Sequence, residues 1–178
     1  VYEAMDAALF PHHPYGTQTV LGSQEHLKNP SITNIKNYYN KWYVPNNVAI
    51  CVAGDFDPDE MVATIEKYFG DWQPNPNIEQ QRLKIVPEEP IVEPIVKDVY
   101  GLEAENLTLG WRFPGDNGIN NLDTLQLLAA AIYNGKTGLI DINIRMEQKA
   151  LAAFAYSNEK PDYTTFVIGG VPKEGQTL

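Results

Sequence analysis

The stretch that decides the fold runs from Pro45 to Trp72 and reads PNNVAICVAGDFDPDEMVATIEKYFGDW. Residues 47–53 are apolar and β-prone after the first position, which predicts an internal strand covered on both faces. Asp57 then stands at an N-cap position ahead of a proline, and Gly70 ends the helical periodicity that follows. This pattern predicts a helix over 58–69. A strand followed by a well-capped helix indicates a domain in which helices pack on a sheet.

Two helices are predicted upstream of this unit. Residues 1–10 have apolar side chains at helical spacing and no capping residue ahead of Val1, so we expect the numbering to begin inside an element. Ser31 is a predicted N-cap for a helix that reaches Trp42. We expect that helix to bury an aromatic-rich face made of Ile32, Ile35, Tyr38, Tyr39 and Trp42.

A change in composition follows the helix. Residues 73–94 contain five prolines and many charged or amide side chains. The acidic pair Glu88-Glu89 is among them, and exposure of the linker to solvent explains its presence. This segment is a predicted extended linker with few core contacts. Beyond it the patterns predict strands and helices over 95–100, 105–113, 122–133, 138–149, 152–157 and 163–169.

The elements together predict an α+β fold. Helices are expected to cover one face of a mainly antiparallel sheet, in two layers. The expected division is residues 1–72 as the end of a first lobe, 73–94 as the linker and 95–178 as the beginning of a second lobe, with both lobes incomplete. No repeat of 20 to 50 residues is present, which excludes a solenoid.

Composition excludes several classes of partner. The 178 residues carry 13 Lys and Arg against 23 Asp and Glu, and the net charge of -10 opposes nucleic-acid binding. The longest apolar run, 127–133, is far shorter than the roughly 20 residues that span a bilayer. A single cysteine excludes an intrachain disulfide and a Cys-rich zinc cluster, and it leaves the compartment open between periplasm and cytoplasm.

The residues that could act in catalysis or metal binding have simpler structural explanations. His12 and His13 are adjacent on predicted extended chain and have no ligand partner at metal-binding spacing, while His26 suits a surface or capping role. Cys51 lies within the predicted internal strand, where a thiol packs as a small apolar group. Residues 135–138, Gly-Lys-Thr-Gly, lack the glycine spacing of a P-loop. We therefore predict no catalytic and no metal-binding residue in this chain, and we assign no substrate-binding residue.

Five short motifs carry a family resemblance. They occur in order along the chain at 10–16 (FPHHPYG), 21–22 (LG), 39–47 (YNKWYVPNN), 52–56 (VAGDF) and 68–72 (YFGDW). In order and spacing they resemble the insulinase and pitrilysin family of zinc metallopeptidases, including the mitochondrial processing peptidases. The similarity continues more loosely through 123–128 and 150–156.

The resemblance implies a zinc-dependent endopeptidase acting on peptides. In that family zinc is held by a His-x-x-Glu-His helix and a later glutamate, and the helix glutamate is the general base. No His-x-x-Glu-His occurs in this chain, so zinc is expected in the full-length protein, bound upstream of Val1, and none in this stretch. Glu3 is the one local candidate for the later glutamate. The lobes implied are ferredoxin-type, and the second is the metal-free copy.

The resemblance also implies a partner. Family members carry, in the lobe that faces the zinc, an Arg followed seven residues later by a Tyr at a helix-to-strand junction, where the pair stabilises developing charge. The junction here is 144–153, and the pair falls on Met146 and Ala153, or on Arg145 and Ala152. Tyr156 is expected on the opposite sheet face. A second two-lobe half, in the same polypeptide or on a partner subunit, is therefore expected to enclose the peptide.

Two other readings stay open. A non-catalytic relative would keep this fold to bind peptides or to assemble with a partner, and the residues that decide between enzyme and scaffold lie outside this stretch. An unrelated α+β binding module would require all five motifs to be coincidence.

Overall fold

The computed structural model describes residues 1–82, 84–102, 104–115 and 120–176, which form two compact units. Unit 1 contains Val1–Thr19 and Pro87–Leu178, and unit 2 contains Val20–Val86. Residues 1–19 thus group with the chain beyond the linker, whereas the predicted lobe boundary places them with residues 20–72. The lobe boundaries at 72 and 94 stay a prediction.

Unit 1 is built on a three-stranded antiparallel sheet. Its strands are β1 (Leu107–Pro114), β2 (Ala152–Glu159) and β3 (Tyr163–Val171), in the order β1-β3-β2. Every strand of the predicted second lobe is present except the one expected at 95–100, where the structure has no strand. The antiparallel sheet with packed helices confirms the α+β class.

One face of the sheet packs against helix α6 (Asn120–Ile132). Leu125 from this helix is 5% exposed and contacts a cluster that contains Ala153 and Ala155 of β2 and Phe166 of β3. The small alanines let the helix approach β2 closely, and Phe166 fills the space beside them. Full burial of a side chain such as Leu125 is worth about 1.5–3 kcal/mol.

The other face packs against helix α1 (Tyr2–Leu9), which leads into the short helix α2 (Pro14–Thr17). Gly110 makes the approach possible, because a Cβ at this position would lie 2.7 Å from the sulfur of Met5. Val167, directly opposite Gly110 in the β1–β3 register, is 1% exposed. The structure therefore adds a helical layer to the face that was expected to lack one.

The helix predicted over 138–149 is shorter and irregular. After one turn it becomes a π-helical segment, Asp141–Arg145, and then closes with a Schellman-type end in which Lys149 N–H donates to Ile144 O at 2.8 Å and Gln148 N–H donates to Arg145 O at 3.0 Å. Gln148 supplies the left-handed residue of that motif, with φ of 52°, where glycine is usual. This end directs the chain into β2.

Unit 2 contains helices α3 (Gln24–Lys28), α4 (Ile32–Trp42) and α5 (Pro58–Phe69), together with two 3-10 turns, Pro45–Asn47 and Glu79–Gln81. Both predicted caps are confirmed. The Ser31 hydroxyl accepts from Asn34 N–H at 3.3 Å, and the Asp57 carboxylate accepts from Asp59 and Glu60 N–H at 2.9 and 3.0 Å.

The burial predicted in unit 2 is wrong. Residues 48–53 form no strand, Val48, Ile50 and Val52 are 39 to 47% exposed, and Cys51 is exposed and not packed in a core. The aromatic face of α4 is also exposed, with Tyr38 at 63%. A strand of this composition becomes buried only when neighbouring strands pair with it, and no described residue does so.

The linker prediction is wrong at two positions. Ile78 is 4% exposed, and the side chain of Glu88 is 1% exposed. The remainder of the segment is mostly exposed, as its prolines and charges predict. No helix in the described part of the chain is both long and apolar enough to cross a membrane.

Candidate functional site

A buried polar network occupies the place where the end of α1, the start of α2 and the end of the linker meet the sheet. Its centre is the carboxylate of Glu88, which accepts hydrogen bonds from the backbone N–H groups of His12 and His13, each at 2.7 Å. The His12 ring lies 3.2 Å from the same carboxylate, and a guanidinium nitrogen of Arg112 lies 3.8 Å away. These contacts fix the end of the linker to the sheet.

The Glu88 carboxyl is held in its charged form. Burial is the largest single effect and raises its pKa. The hydrogen bonds from the His12 and His13 backbone, the His12 ring and the positive charge of Arg112 together outweigh burial, so the pKa is below the ordinary value. Arg112 is itself held in place because its guanidinium donates to the carbonyl oxygens of Leu9 and Glu89. The charges are therefore paired and hydrogen-bonded inside the unit.

His13 is the most buried titratable side chain of this network. Its Nδ1 accepts from Tyr15 N–H at 3.1 Å and so caps α2, which assigns the ring proton of the neutral form to Nε2. Nε2 forms no hydrogen bond and lies 3.6 Å from an Asp162 carboxylate oxygen. A ring whose Nδ1 is already used and whose Nε2 is enclosed has a structural role.

Aromatic rings enclose the network. The guanidinium of Arg112 lies over Phe10 at 5.7 Å and over Tyr163 at 5.5 Å, and the Tyr163 hydroxyl accepts from Glu88 N–H at 2.7 Å. Phe10 is fully buried between Tyr15 and Tyr163. Cation–π contacts and paired hydrogen bonds stabilise this region.

No metal-binding arrangement is formed in the part of the chain that the structure describes. No group of three His, Cys, Asp or Glu side chains there is placed to hold an ion. His26 caps α3 through a reciprocal pair with Ser23, in which Ser23 N–H donates to His26 Nδ1 at 3.3 Å, as its capping role predicted. Glu3 lies exposed on α1, away from the other candidates for ligands.

The Gly-Lys-Thr-Gly loop wraps around an internal carboxylate. One oxygen of Asp141 accepts from the N–H groups of Asn134, Gly135 and Gly138 at 2.9 to 3.2 Å, and the other accepts from Arg145 at 2.9 Å. Burial acts to raise the pKa of Asp141, but these hydrogen bonds lower it overall. The backbone donors that a phosphate would need are already used.

The helix-to-strand junction at 144–153 has no polar pair. Ala153 is buried beneath α6, at 8% exposure, so its position faces the core and not a cleft. Tyr156 lies on the opposite face, stacked on Phe154 at 6.0 Å, as expected. Its pKa is raised to about 12, chiefly by burial and then by hydrogen bonding to Tyr2 of α1.

An open groove of about 540 Å³ lies beside this junction. Its wall is formed by the Asp141 loop, the end of the π-helical segment and the turn after β3. The sequence indicated neither this groove nor the Glu88 network. The network joins residues that are distant along the chain, and the groove depends on the irregular end of the helix predicted over 138–149.

Residues 31–177 match the family model described as the peptidase M16 inactive domain. The chain belongs to the peptidase M16 family. The match confirms the resemblance to insulinase and pitrilysin metallopeptidases, and it assigns most of the chain to the type of domain described as inactive.

Several curated relatives of this M16 chain are named as proteases. A Mycobacterium tuberculosis protein named uncharacterized zinc protease Rv2782c is 26% identical over 159 residues, which are 85% of this chain and 34% of that protein. A Mycobacterium leprae protein named uncharacterized zinc protease ML0855 is 38% identical over 64 residues, covering 36% of this chain and 14% of its own length. A probable mitochondrial-processing peptidase subunit beta of Schizosaccharomyces pombe is 29% identical over 75 residues, covering 42% and 16%. The chain thus spans at most about a third of these relatives.

Solved structures share the fold of the M16 chain. A protease from Helicobacter pylori superposes with a TM-score of 0.63 at 21% identity, over 92% of this chain and 40% of that one. The first half of the periplasmic protease PqqL from Escherichia coli gives 0.55 at 16% identity, over 97% and 37%. These likenesses show the fold alone.

Proposed function

We propose that this chain is the non-catalytic junction of a zinc-dependent endopeptidase: the end of its zinc-bearing lobe, the linker and the first part of its metal-free second lobe. The observation that carries the proposal is the junction at 144–153. It repeats the helix-to-strand architecture expected of the family but has an alanine, Ala153 or Ala152, where the family's Tyr would stand. The family match to an inactive domain supports the same conclusion.

The described residues do not fit a zinc site, so the metal and the general base belong to another part of the protein. The contribution of this chain is structural, because it holds the linker and the sheet in place. The Glu88 network fixes the linker against the sheet, and the α1 and α6 layers stiffen that sheet from both faces. A wall of this kind encloses a peptide without reacting with it.

The proposal predicts that catalysis requires a second two-lobe half. The zinc-bearing half is expressed alone, with its zinc site intact, and then mixed with the other half, whether that half is a later part of the polypeptide or a partner subunit. We expect a zinc-loaded protein whose cleavage of a quenched fluorescent peptide rises at least about 100-fold on mixing, the usual scale for one charge-stabilising group.

The control is the same half with the upstream zinc-ligand histidines replaced by alanine, which must stay inactive after mixing. Full activity from the unmixed half would contradict the proposal.

A non-catalytic peptide-binding or assembly subunit is the second candidate. The description of the matched domain as inactive is compatible with this role as well as with the first. If the complete protein lacks an upstream His-x-x-Glu-His, it takes this role and the mixed halves bind peptide without cleaving it.

A further inference from the structure

The groove beside the helix-to-strand junction has an unusual charge. Lys136, Arg145 and Lys173 lie along it, and Asp141 is the acidic residue among its lining. Asp141 is 4% exposed and shares its charge between three backbone N–H groups and Arg145. The groove therefore presents positive charge to solvent.

The two lysines are available for a ligand. Neither ammonium group forms an ion pair with any side chain that the structure describes, and both residues are exposed. Arg145 is 46% exposed at its side chain, so part of its guanidinium also faces solvent. The three side chains form a local concentration of positive charge on a chain whose net charge is -10. Such a site attracts anionic groups while the rest of the surface repels them.

The groove also has an apolar wall. Met146 and Leu151 line it and are 66% and 73% exposed. Methionine adapts to different side chains because it is unbranched and polarisable. Gln148, with its left-handed backbone, also lines the groove and turns the chain between them at the Schellman-type end. Positive charge beside exposed apolar side chains is complementary to a segment that alternates acidic and apolar residues.

We propose that this groove binds an acidic peptide segment, with carboxylates on Lys136, Lys173 and Arg145 and apolar side chains on Met146 and Leu151. The inference rests on the proposed function for the choice of a peptide as ligand. It goes beyond that function by assigning a charge preference to a surface that takes no part in bond cleavage.

The test measures fluorescence anisotropy of a labelled peptide that carries four Asp or Glu residues interleaved with Leu, titrated with the 178-residue chain. A peptide with Lys in place of the acidic residues is the matched ligand control. We expect binding of the acidic peptide only, weakened as salt rises from 20 to 300 mM, because the contacts are exposed and screened.

The variant Lys136→Glu/Lys173→Glu reverses the charge of the two lysines that line the groove. The double reversal replaces two attractive contacts with two repulsive ones and should weaken binding about tenfold, which corresponds to about 1.4 kcal/mol. The control Lys36→Glu/Lys97→Glu makes the same change in net charge at exposed positions that do not line the groove and should change binding less than about twofold. Lys136→Gln/Lys173→Gln provides a milder variant if charge reversal lowers the melting temperature.

Each outcome decides the proposal. Equal weakening by the control pair, or equal binding of the lysine peptide, overturns it. Retention of binding after amidation of the peptide C-terminus supports the assignment to the acidic side chains, and loss of binding on amidation overturns it. Peptide cleavage by the mixed halves is measured separately, so failure of the groove leaves the proposed function standing, and failure of cleavage leaves the binding result intact.

Discussion

At the scale of single residues, Glu88 has the largest structural role that composition does not reveal. In the sequence it is one of two adjacent acids in a proline-rich stretch, and solvation explains both. In the structure Glu89 is exposed and contributes a backbone oxygen, whereas the Glu88 carboxylate is enclosed by two backbone N–H groups and Arg112. The difference depends on contacts between residues that are more than 70 positions apart in the sequence, and no local pattern indicates such contacts.

Glu88→Gln is expected to destabilise unit 1 by about 1–3 kcal/mol at pH 7, because an amide cannot balance the charge of Arg112 and offers a donor where N–H groups converge. Hydrogen exchange of β3 amides measures this within unit 1. Glu89→Gln is the control and should leave the exchange unchanged.

The same substitution tests the pH dependence. A carboxyl whose folded pKa is lowered stabilises the protein above its ordinary value of 4.5, and that stability is lost as the pH falls through the folded pKa. The wild-type chain should therefore lose β3 protection more steeply below about pH 4.5 than Glu88→Gln does. Identical slopes for the two proteins would contradict the assignment.

At the scale of elements, the sequence predicts what is local and fails where contacts are distant. The caps at Ser31 and Asp57, the helix at 58–69 and the strands of β1, β2 and β3 follow from spacing within a few residues. Burial of 48–53 and of α4 depends on neighbours that no described residue supplies. The π-helical segment begins at Asp141, whose carboxylate accepts hydrogen bonds from the preceding loop. Hydrophobic periodicity does not indicate such contacts.

The packing of α1 on α2 gives a prediction at this scale. A Cβ on Gly16 would lie 2.3 Å from Phe10 O and 2.4 Å from Asp6 O. Both are backbone atoms, so relieving the clash would require the C-terminal end of α1 to move. Gly16→Ala is therefore expected to cost about 1–3 kcal/mol and to lower the melting temperature.

Gly101→Ala is the matched control, since a Cβ there meets nothing within 4 Å. An equal melting temperature for the two variants would show that the α1–α2 contact is not formed in solution.

At the scale of the whole molecule, the role proposed for the 178 residues is support and enclosure. We expect the purified chain neither to retain zinc nor to cleave peptides, because a tetrahedral site needs three protein ligands that the described residues do not assemble. Metal analysis after dialysis and a peptide digestion assay measure this. Stoichiometric zinc together with chelator-sensitive cleavage would disprove it.

The exposed segment 48–53 has a consequence for colloidal behaviour. Its six residues carry no charge and no proline, the composition that favours cross-β stacking between molecules. Ten net negative charges keep copies of the chain apart at neutral pH, and this repulsion vanishes near the isoelectric point of about 4.6. Acid elution or crystallisation near that pH would therefore bring these bare segments together and yield fibrous precipitate, whereas neutral buffer of low ionic strength keeps the molecules dispersed.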